Sequence, residues 1–453
     1  MTRKFKFFLF FIIFLFILFV LGAIRVEKKM QFLNERTKQH ESIINELNSK
    51  NIIDIQLTQI ALTKRVEYLT TVLELPSSES NDIKSKSNIY NIRTFQLPFL
   101  SRIEWKGKAV AYLEQTDNEI IIASGDGEFF TFKKKDIESD SLYLKKIRTN
   151  VKNLIKDQKF YLSGPYGIRD LFILDNKILF SYIKKLSNNC YNTSIMSSEF
   201  NLNYLNFSEF FSYTDCVETN LVAHTGGRMV FFKNGKILLT IGDWTWAQMV
   251  LAQDRNSIFG KIISIDIKSK DYEIIAMGSR NAQGLYYDED RDIIIHTEHG
   301  PIGGDEININ FHPDNKIIEN YGWPISSYGE HDDGKFRKEA PLHKSHKDYG
   351  FIEPIKYYTP SIAISEIVKI PSTFSERFTN DFFIGALGFK DQINDGDQSI
   401  HHIRFNENFD QIIFEDVIPI GERIRDMIFI KEKNIILMVL ESIPAIGVLK
   451  LIN

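Results

Sequence analysis

Cysteine is almost missing from this chain: 453 residues contain two, Cys190 and Cys216. They form no CxxC pair and no zinc-type spacing, which excludes a zinc ribbon or a dithiol redox motif. A dominant charge sign is missing too. Fifty-five basic and 59 acidic residues leave a net charge of −4, which argues against a dedicated nucleic-acid surface. Proline and glycine are absent from residues 27–75, and long uncharged apolar runs are absent after residue 24. Aromatic residues are plentiful: 13% of the chain, with 36 phenylalanines. Some belong to the N-terminus, and the rest suit sheet-rich packing. The length suffices for one large all-β domain or two smaller domains.

The N-terminal run, residues 7–24, reads FFLFFIIFLFILFVLGAI and carries no charge. Its 18 residues just reach bilayer-crossing length as a helix. A cleaved signal peptide is the alternative, but its apolar region is normally shorter and ends in a small-residue site. Leu21-Gly22-Ala23 is a poor version of that site, so an uncleaved transmembrane anchor over residues 1–26 is expected. Basic residues flank both sides and orient the span weakly. No second span follows to bring the chain back, so the rest is expected to be exported, on the periplasmic side. Residues 27–75 read as a helical stalk. Ile55, Leu62, Val66, Leu69 and Leu73 fall at three- and four-residue steps, with Gln59 filling one slot, a short amphipathic or coiled-coil pattern. Such a stalk pairs with a second copy, giving a homo-oligomer, or packs on the main domain. Residues 76–88, PSSESNDIKSKSN, are a linker by composition.

From about residue 89 the pattern changes to short strands. One phrase recurs: a strand, a turn holding Asn, Asp or Gly, then a very apolar strand. It appears as AVAYLEQTDNEIIIAS (109–124), RDLFILDNKILFSY (169–182), RMVFFKNGKILLTIGD (228–243), QGLYYDEDRDIIIHTE (283–298), SEIVKIPSTFSERFTNDFFIGAL (365–387) and RDMIFIKEKNIILMVLE (425–441). Six copies, each followed by one or two further strands, predict an all-β, six-bladed β-propeller over residues 89–453. The apolar strands are expected innermost, buried on both faces. A β-sandwich would not repeat one hairpin six times.

Polar groups at strand ends on a rigid sheet are the natural candidates for chemistry. His224 stands at the start of the third copy, a position that faces the central channel of a propeller. A lone histidine is more often structural, but imidazole there suits a general base. Arg280-Asn281 opens the fourth copy, Arg423 and Arg425 flank the start of the sixth, and Lys390 follows the apolar strand of the fifth. Singly, each cation reads as a solvated surface charge. As a set at equivalent repeat positions they point to an anionic ligand with several carboxylates. Gly300-Pro301 forms a sharp turn able to aim carbonyl oxygens at a hard cation such as Ca²⁺, although a plain tight turn is the commoner meaning. Asp305 and Glu306 read as turn or structural-ion residues. Cys190 and Cys216 lie in the second-blade region, where antiparallel strands could bring them within bonding distance. Two buried thiols are the other outcome.

Residues 220–451 resemble the soluble quinoprotein dehydrogenases, the pyrroloquinoline quinone (PQQ)-dependent glucose, aldose-sugar and sorbosone dehydrogenases. The resemblance rests on His224-x-Gly-Gly-Arg228, Gly242-Asp243, Gly260-Lys261-Ile262, Arg280-Asn281-x-Gln283-Gly284, Glu298-His299-Gly300-Pro301, Gly304-Asp305-Glu306-Ile307-Asn308, Tyr321-Gly322-Trp323-Pro324, Pro360-Ser361-Ile362-Ala363 and Arg423-x-Arg425-Asp426, in that order. It implies a six-bladed propeller with PQQ and Ca²⁺ as cofactors. By the same resemblance His224 is the general base, and Arg280 and Asn281 contact the quinone and activate its carbonyl. Lys390, Arg423 and Arg425 hold its carboxylates, and Gly300 and Pro301 give backbone-carbonyl ligands to Ca²⁺. Ser361 stands where the family has a small hydroxyl beside the cofactor. A glutamine is expected after Gly242-Asp243, where Gln248 and Gln253 both fit. Two departures bear on substrate: Ile364-Ser365-Glu366 replaces the family's Pro-Ser-Gly, and Trp244-Thr245-Trp246 is unusual.

The expected function is therefore oxidation of a sugar or other alcohol, with hydride passing to PQQ and electrons to an acceptor the sequence does not name. A non-catalytic propeller binding a glycan or protein partner is the alternative. It gives no reason to keep His224, Arg280, Asn281, Lys390, Arg423 and Arg425 together. A Ca²⁺-dependent lactonase-type hydrolase would need carboxylate and amide ligands in the channel, which Gly300-Pro301 does not supply.

Overall fold

The turns dictate the hairpins. Asp175 opens a two-residue loop between Leu174 and Lys177 with a φ of 51°, and Asn234-Gly235 joins Phe232 to Lys236 with φ values of 59° and 70°. Asn, Asp and Gly tolerate this left-handed backbone, which matches the twist of paired strands. The computed structural model describes residues 72–452 apart from 99, 101–109, 163, 245–247, 315, 376 and 389–395, and also positions 27, 29–31, 34 and 38, which are helical. The chain divides into two compact units, Met1–Glu67 and Tyr68–Asn453. The predicted anchor and most of the predicted stalk lie outside the described residues. Among the described residues no helix is long and apolar enough to cross a membrane.

The second unit is a six-bladed propeller. Blade I holds Ala111–Gln115, Glu119–Ser124, Phe129–Lys133 and Ser141–Thr149; blade II holds Ile168–Leu174, Lys177–Ser187, Cys190–Glu199 and Ser208–Phe211. Blade III is Gly226–Phe232, Lys236–Ile241, Lys261–Asp266 and Tyr272–Met277, and blade IV is Ala282–Asp288, Ile293–Glu298, Asp305–Asn310 and Lys356–Tyr358. Blade V is Ile364–Ile370, Asp381–Ala386, Ile400–Phe405 and Ile412–Ile418. Blade VI takes Ile424–Ile430, Ile435–Leu440 and Ala445–Leu451 from the C-terminal end, then Ile89–Gln96 as its fourth strand, antiparallel to Ala445–Leu451. That pairing closes the ring and shields its edges. The six repeated phrases are the first two strands of the six blades.

Two expectations need correction. The strands nearest the axis are the first of each blade, which abut one another around the ring, and the very apolar strand is the second. The first strand must present polar groups to the channel, whereas the second has a strand on each side and a neighbouring blade on each face. Successive side chains point to opposite faces. Ile120 and Ile122 therefore pack against blade VI, while Ile121 and Ala123 pack against blade II. Each of the six blade–blade interfaces has its own apolar cluster of this kind. The second correction concerns the predicted linker and the end of the stalk. Leu73–Pro76 pairs with the outer strand of blade I, and Asn81–Lys84 pairs with Ile89–Gln96. Short polar strands at a sheet edge have one solvated face and look like linker by composition.

In blades II to VI the first strand is offset against the second near its start, as at Ile168/Asp170 and Ile424/Asp426. Such bulges re-aim side chains. Positions within or just after these offsets, with Tyr112 in blade I, form a ring: Tyr112, Asp170, Arg228, Gly284, Glu366 and Asp426. Arg228 of blade III contacts every other blade. Its guanidinium lies 5.1 Å from the Tyr112 ring of blade I. Nη1 is 2.9 Å from Asp170 of blade II, 2.7 Å from Glu366 of blade V and 2.6 Å from Asp426 of blade VI. Nε donates to the Gln283 carbonyl of blade IV at 2.7 Å. Glu366, the family departure, thus belongs to this axial cluster. Burial opposes charge here, but three carboxylates outweigh it and raise Arg228 further, while burial lifts Asp170 to about 7 despite Arg228.

Cys190 and Cys216 form a disulfide with a Cα–Cα distance of 5.4 Å. Val217–Glu218 pairs with Cys190–Glu199 beside it, which fixes the approach of the chain to His224.

Replacing Arg228 by Met should cost about 3–5 kcal/mol of unfolding free energy near pH 8, because three buried carboxylates lose their shared partner. Asp170 binds protons more tightly folded than unfolded. Its contribution is therefore complete below the unfolded value and lost as pH rises through about 7. The deficit of the variant should accordingly shrink at pH 5, measured by urea unfolding. Equal stability of variant and wild type at pH 8 contradicts the central role of this guanidinium.

Candidate active site

Above the ring, the strand starts carry the predicted residues. His224 has a φ of 50°, a costly conformation for a non-glycine residue that calls for local support. The Trp244 N–H donates to its carbonyl at 3.2 Å. A Cβ on Gly242 would sit 1.8 Å from that same carbonyl oxygen, so only glycine allows the two segments this close. The imidazole Nδ1 is 3.1 Å from Asp243 Oδ1, and Nε2 is 3.0 Å from Arg280 Nη2. Arginine can only donate, so Nε2 is the acceptor and Nδ1 carries the proton. Asp243 is fully buried and also accepts from Trp323 Nε1 at 2.8 Å. Burial and then Arg280 push the His224 pKa down, and Asp243 opposes them without reversing the shift. The ring is neutral at pH 7, with its basic nitrogen toward the mouth.

Arg280 donates Nη1 to the carbonyls of His299 and Gly300, each at 2.7 Å. Its own N–H and that of Asn281 both donate to Glu298 Oε1. Burial lifts Glu298 to about 8. Asn281 Oδ1 accepts from Gly226 N at 3.2 Å and from Gln283 Nε2 at 2.9 Å. Gln283 Oε1 in turn accepts from Arg425 Nη1 at 2.9 Å. Arg423 and Arg425 share one carboxylate: Glu441 Oε2 is 3.1 Å from Arg423 Nε, and Oε1 is 2.6 Å from Arg425 Nε. Arg423 also donates to the carbonyls of Leu387 and Gly388 at 2.8 and 2.7 Å.

The Gly300-Pro301 turn is held from below. Gly300 N–H donates to Asp305 Oδ1 at 2.9 Å, while Oδ2 accepts from Ile362 and Ile364, both at 3.0 Å. Asp305 therefore ties the blade IV turn to the start of blade V. Ser361 Oγ donates to the Pro301 carbonyl at 3.1 Å. Each carbonyl oxygen keeps a second lone pair, so Gly300 and Pro301 suit a hard cation. Among the described residues no cluster of three His, Cys, Asp or Glu side chains does.

Most of the predicted residues converge. His224, Arg280, Asn281, Arg423 and Arg425 form one connected hydrogen-bonded group through Gln283, and Gly300, Pro301 and Ser361 border it. Lys390 lies outside the described residues. Gln253 is committed elsewhere, donating to Asn320 Oδ1 at 3.1 Å and the Trp323 carbonyl at 2.7 Å, and Gln248 is half-buried in a turn. Trp244 is fully buried against Phe259 and does not shape the rim. Asp243 and Glu298 stood inside quoted motifs without roles, Asp305 reads in the sequence as a turn or structural-ion residue and holds the turn, and Glu441 carried no signal beyond closing the sixth copy.

The chain is similar to known proteins. An uncharacterised protein of Synechocystis sp. is 30% identical over 226 residues, 45% of this chain and 50% of its own length. The aldose sugar dehydrogenase YliI of Escherichia coli is 32% identical over 183 residues, 38% of this chain and 47% of its own. The chain thus spans about half the length of these curated relatives. The crystal structure of the soluble aldose sugar dehydrogenase of Escherichia coli in the apo-form matches with a TM-score of 0.61 at 21% identity, over 82% of this chain and 99% of that one. The PQQ-bound form of aldose sugar dehydrogenase from Streptomyces coelicolor matches at 0.53 and 14%, over 83% and 99%. At such identities these structures speak for the fold. Residues 116–443 match the profile of the Glucose / Sorbosone dehydrogenase family, and the chain belongs to it.

Proposed function

We propose that this propeller oxidises a sugar or other alcohol with PQQ as oxidant and Ca²⁺ as a bound cation. One observation carries the reading. A neutral His224, oriented by Asp243, stands beside a mouth where Arg423 and Arg425 share a single carboxylate, Glu441, and the Arg280 guanidinium is held by the carbonyls of His299 and Gly300. A buried excess of guanidinium suits a ligand with several carboxylates, and a neutral imidazole suits removal of a hydroxyl proton. Asn281, Gln248, Ser361 and Lys390 would contact the cofactor, and the carbonyls of Gly300 and Pro301 would hold Ca²⁺. When bound, PQQ supplies a quinone that accepts hydride, and Ca²⁺ supplies a Lewis acid beside it. His224 Nε2 takes the substrate hydroxyl proton once Arg280 Nη2 yields that position. Arg280 then directs its charge at the developing oxyanion, and Asp243 stabilises the imidazolium.

The same reading places the enzyme outside the cytoplasm, held by the apolar run at residues 7–24, with the segment after it free to pair with a second copy. Support comes from the Cys190–Cys216 disulfide, a bond that persists in oxidising compartments. The electron acceptor is a separate partner.

Calorimetry of the full chain with PQQ and Ca²⁺, followed by dye reduction against sugars and alcohols, tests the reading. His224→Gln should keep PQQ affinity within a few-fold and lose turnover by about 10²–10⁴. Arg423→Ala should weaken PQQ binding by about 30-fold or more, with activity restored by excess PQQ. Absence of PQQ binding by the wild type would falsify the oxidoreductase assignment and favour a binding propeller.

The pH profile adds a further check. The acid limb of kcat/KM should have its midpoint below 6.5, since His224 is pushed down from that value. Asp243→Asn removes the influence that opposes the shift, so the midpoint should fall further. Maximal turnover should drop by about 10²–10⁴ as the tautomer is lost. An unchanged limb and rate would remove Asp243 from the mechanism.

A further inference from the structure

Arg169 takes part in no predicted role. It belongs to the first strand of blade II, one residue before the Asp170 that meets Arg228. Blade VI has the same phrase at the same place: Ile168-Arg169-Asp170-Leu171 in one, Ile424-Arg425-Asp426-Met427 in the other. The registers agree, since Asp170 pairs with Ser181 and Asp426 with Val439, each just after the bulge. Both aspartates bind Arg228 Nη1. Arg169 is therefore the blade II counterpart of Arg425.

The two arginines differ in their partners. Arg425 has Glu441, which follows Leu440, the strand partner of Ile424. The matching residue in blade II follows Tyr182, the partner of Ile168, and is Ile183, apolar and buried. Arg169 consequently has no carboxylate of its own. Among the described residues it forms no ion pair. Its hydrogen bond is a long one from Nη1 to the Gly164 carbonyl at 3.3 Å, and its buried Nε has no partner. Arg425, Arg228, Tyr112 and Glu441 are the charged or titratable groups near enough to influence it. It is not a stray surface side chain, because the backbone is shaped around it. Gly227, with a φ of 112°, leaves room where a Cβ would sit 2.3 Å from Arg169 Cβ.

A half-buried guanidinium with a buried, unpartnered Nε and no carboxylate of its own is unfavourable unless a ligand supplies the charge. Resting on the PQQ reading above, we propose that Arg169 is a further cofactor-binding residue, a blade II guanidinium that pairs with a carboxylate of bound PQQ. The carboxylate cradle then reaches across the channel, with Arg423 and Arg425 on one side and Arg169 on another. The contact is a charge-assisted hydrogen bond, and no covalent or redox step is involved.

The test compares the full-length wild type with Arg169→Gln and Arg169→Lys, by calorimetry with PQQ and Ca²⁺ and by thermal unfolding without PQQ. Arg169→Gln should weaken PQQ binding by about 10- to 100-fold, the usual range for a hydrogen bond to a charged group. Lys should recover part of that loss as a point charge. Ligand-free Tm should be unchanged or higher for Arg169→Gln, because a half-buried cation without a carboxylate partner is removed. A structural arginine behaves in the opposite way. A lowered ligand-free Tm with binding reduced only in proportion would overturn the proposal in favour of a packing role. Equal PQQ affinity in wild type and Arg169→Gln would overturn it and leave the PQQ reading standing. No PQQ binding by the wild type would sink both.

Discussion

One guanidinium sits where six blades meet. A propeller has no continuous core along its axis, because the blades splay from a channel and their apolar clusters lie between neighbours. Something must hold the first strands in a ring of fixed width. Arg228 does so with one planar, five-donor group that reaches an aromatic face, two carbonyls and three carboxylates on the five other blades. The carboxylates would be costly to bury alone, and the guanidinium equally so. Together they are satisfied, and each can be satisfied only if the blades keep their spacing. Glu366 adds a third carboxyl group to the Arg228 cluster, from blade V.

The active-site candidates are one step along the same strands. In blades II and VI the plug residue that meets Arg228 directly follows an arginine on the same strand: Asp170 follows Arg169, and Asp426 follows Arg425, which stands in the mouth. The plug therefore sets the height and angle of the mouth. Arg228 Nη2 holds the Arg425 carbonyl at 3.0 Å and Nε holds that of Gln283, and Gln283 links Arg425 to Asn281. A displacement at the axis would pass directly into the groups proposed to grip the cofactor.

The same geometry explains what could be read in advance. Six hairpins were legible because their second strands carry runs of consecutive apolar residues after an Asn-, Asp- or Gly-containing turn. The disulfide was legible only as one of two outcomes, since two cysteines leave one pairing but also allow two buried thiols. Motif order located His224, Arg280 and Asn281 because their backbone demands, such as glycine beside the His224 carbonyl, leave a mark in sequence. The closing strand Ile89–Gln96 was not assigned to its blade, since its partner lies some 350 residues away, beyond any local pattern. Leu73–Pro76 and Asn81–Lys84 were hidden by their solvated faces. Glu441 gave no sign, because a carboxylate shared by two arginines is a fact of spacing in three dimensions. The innermost strand was mistaken for the apolar one because hydropathy reports how many neighbours a strand has, and the channel side offers few.

The plug and the mouth both gather arginines, yet only the mouth is proposed to receive a ligand, and the difference lies in their acceptors. At the axis the acceptors are largely carboxylates, which satisfy the hydrogen bonds and cancel the charge together. At the mouth Arg280 is held by the carbonyls of His299 and Gly300, and Arg423 by those of Leu387 and Gly388 besides its share of Glu441. A carbonyl fixes the direction of an N–H without carrying net charge. The mouth is thereby held in shape while its positive potential stays largely uncancelled, which is the preorganised condition that electrostatic binding of an anion requires. Arg169, with one long bond to a carbonyl, is the extreme of that series.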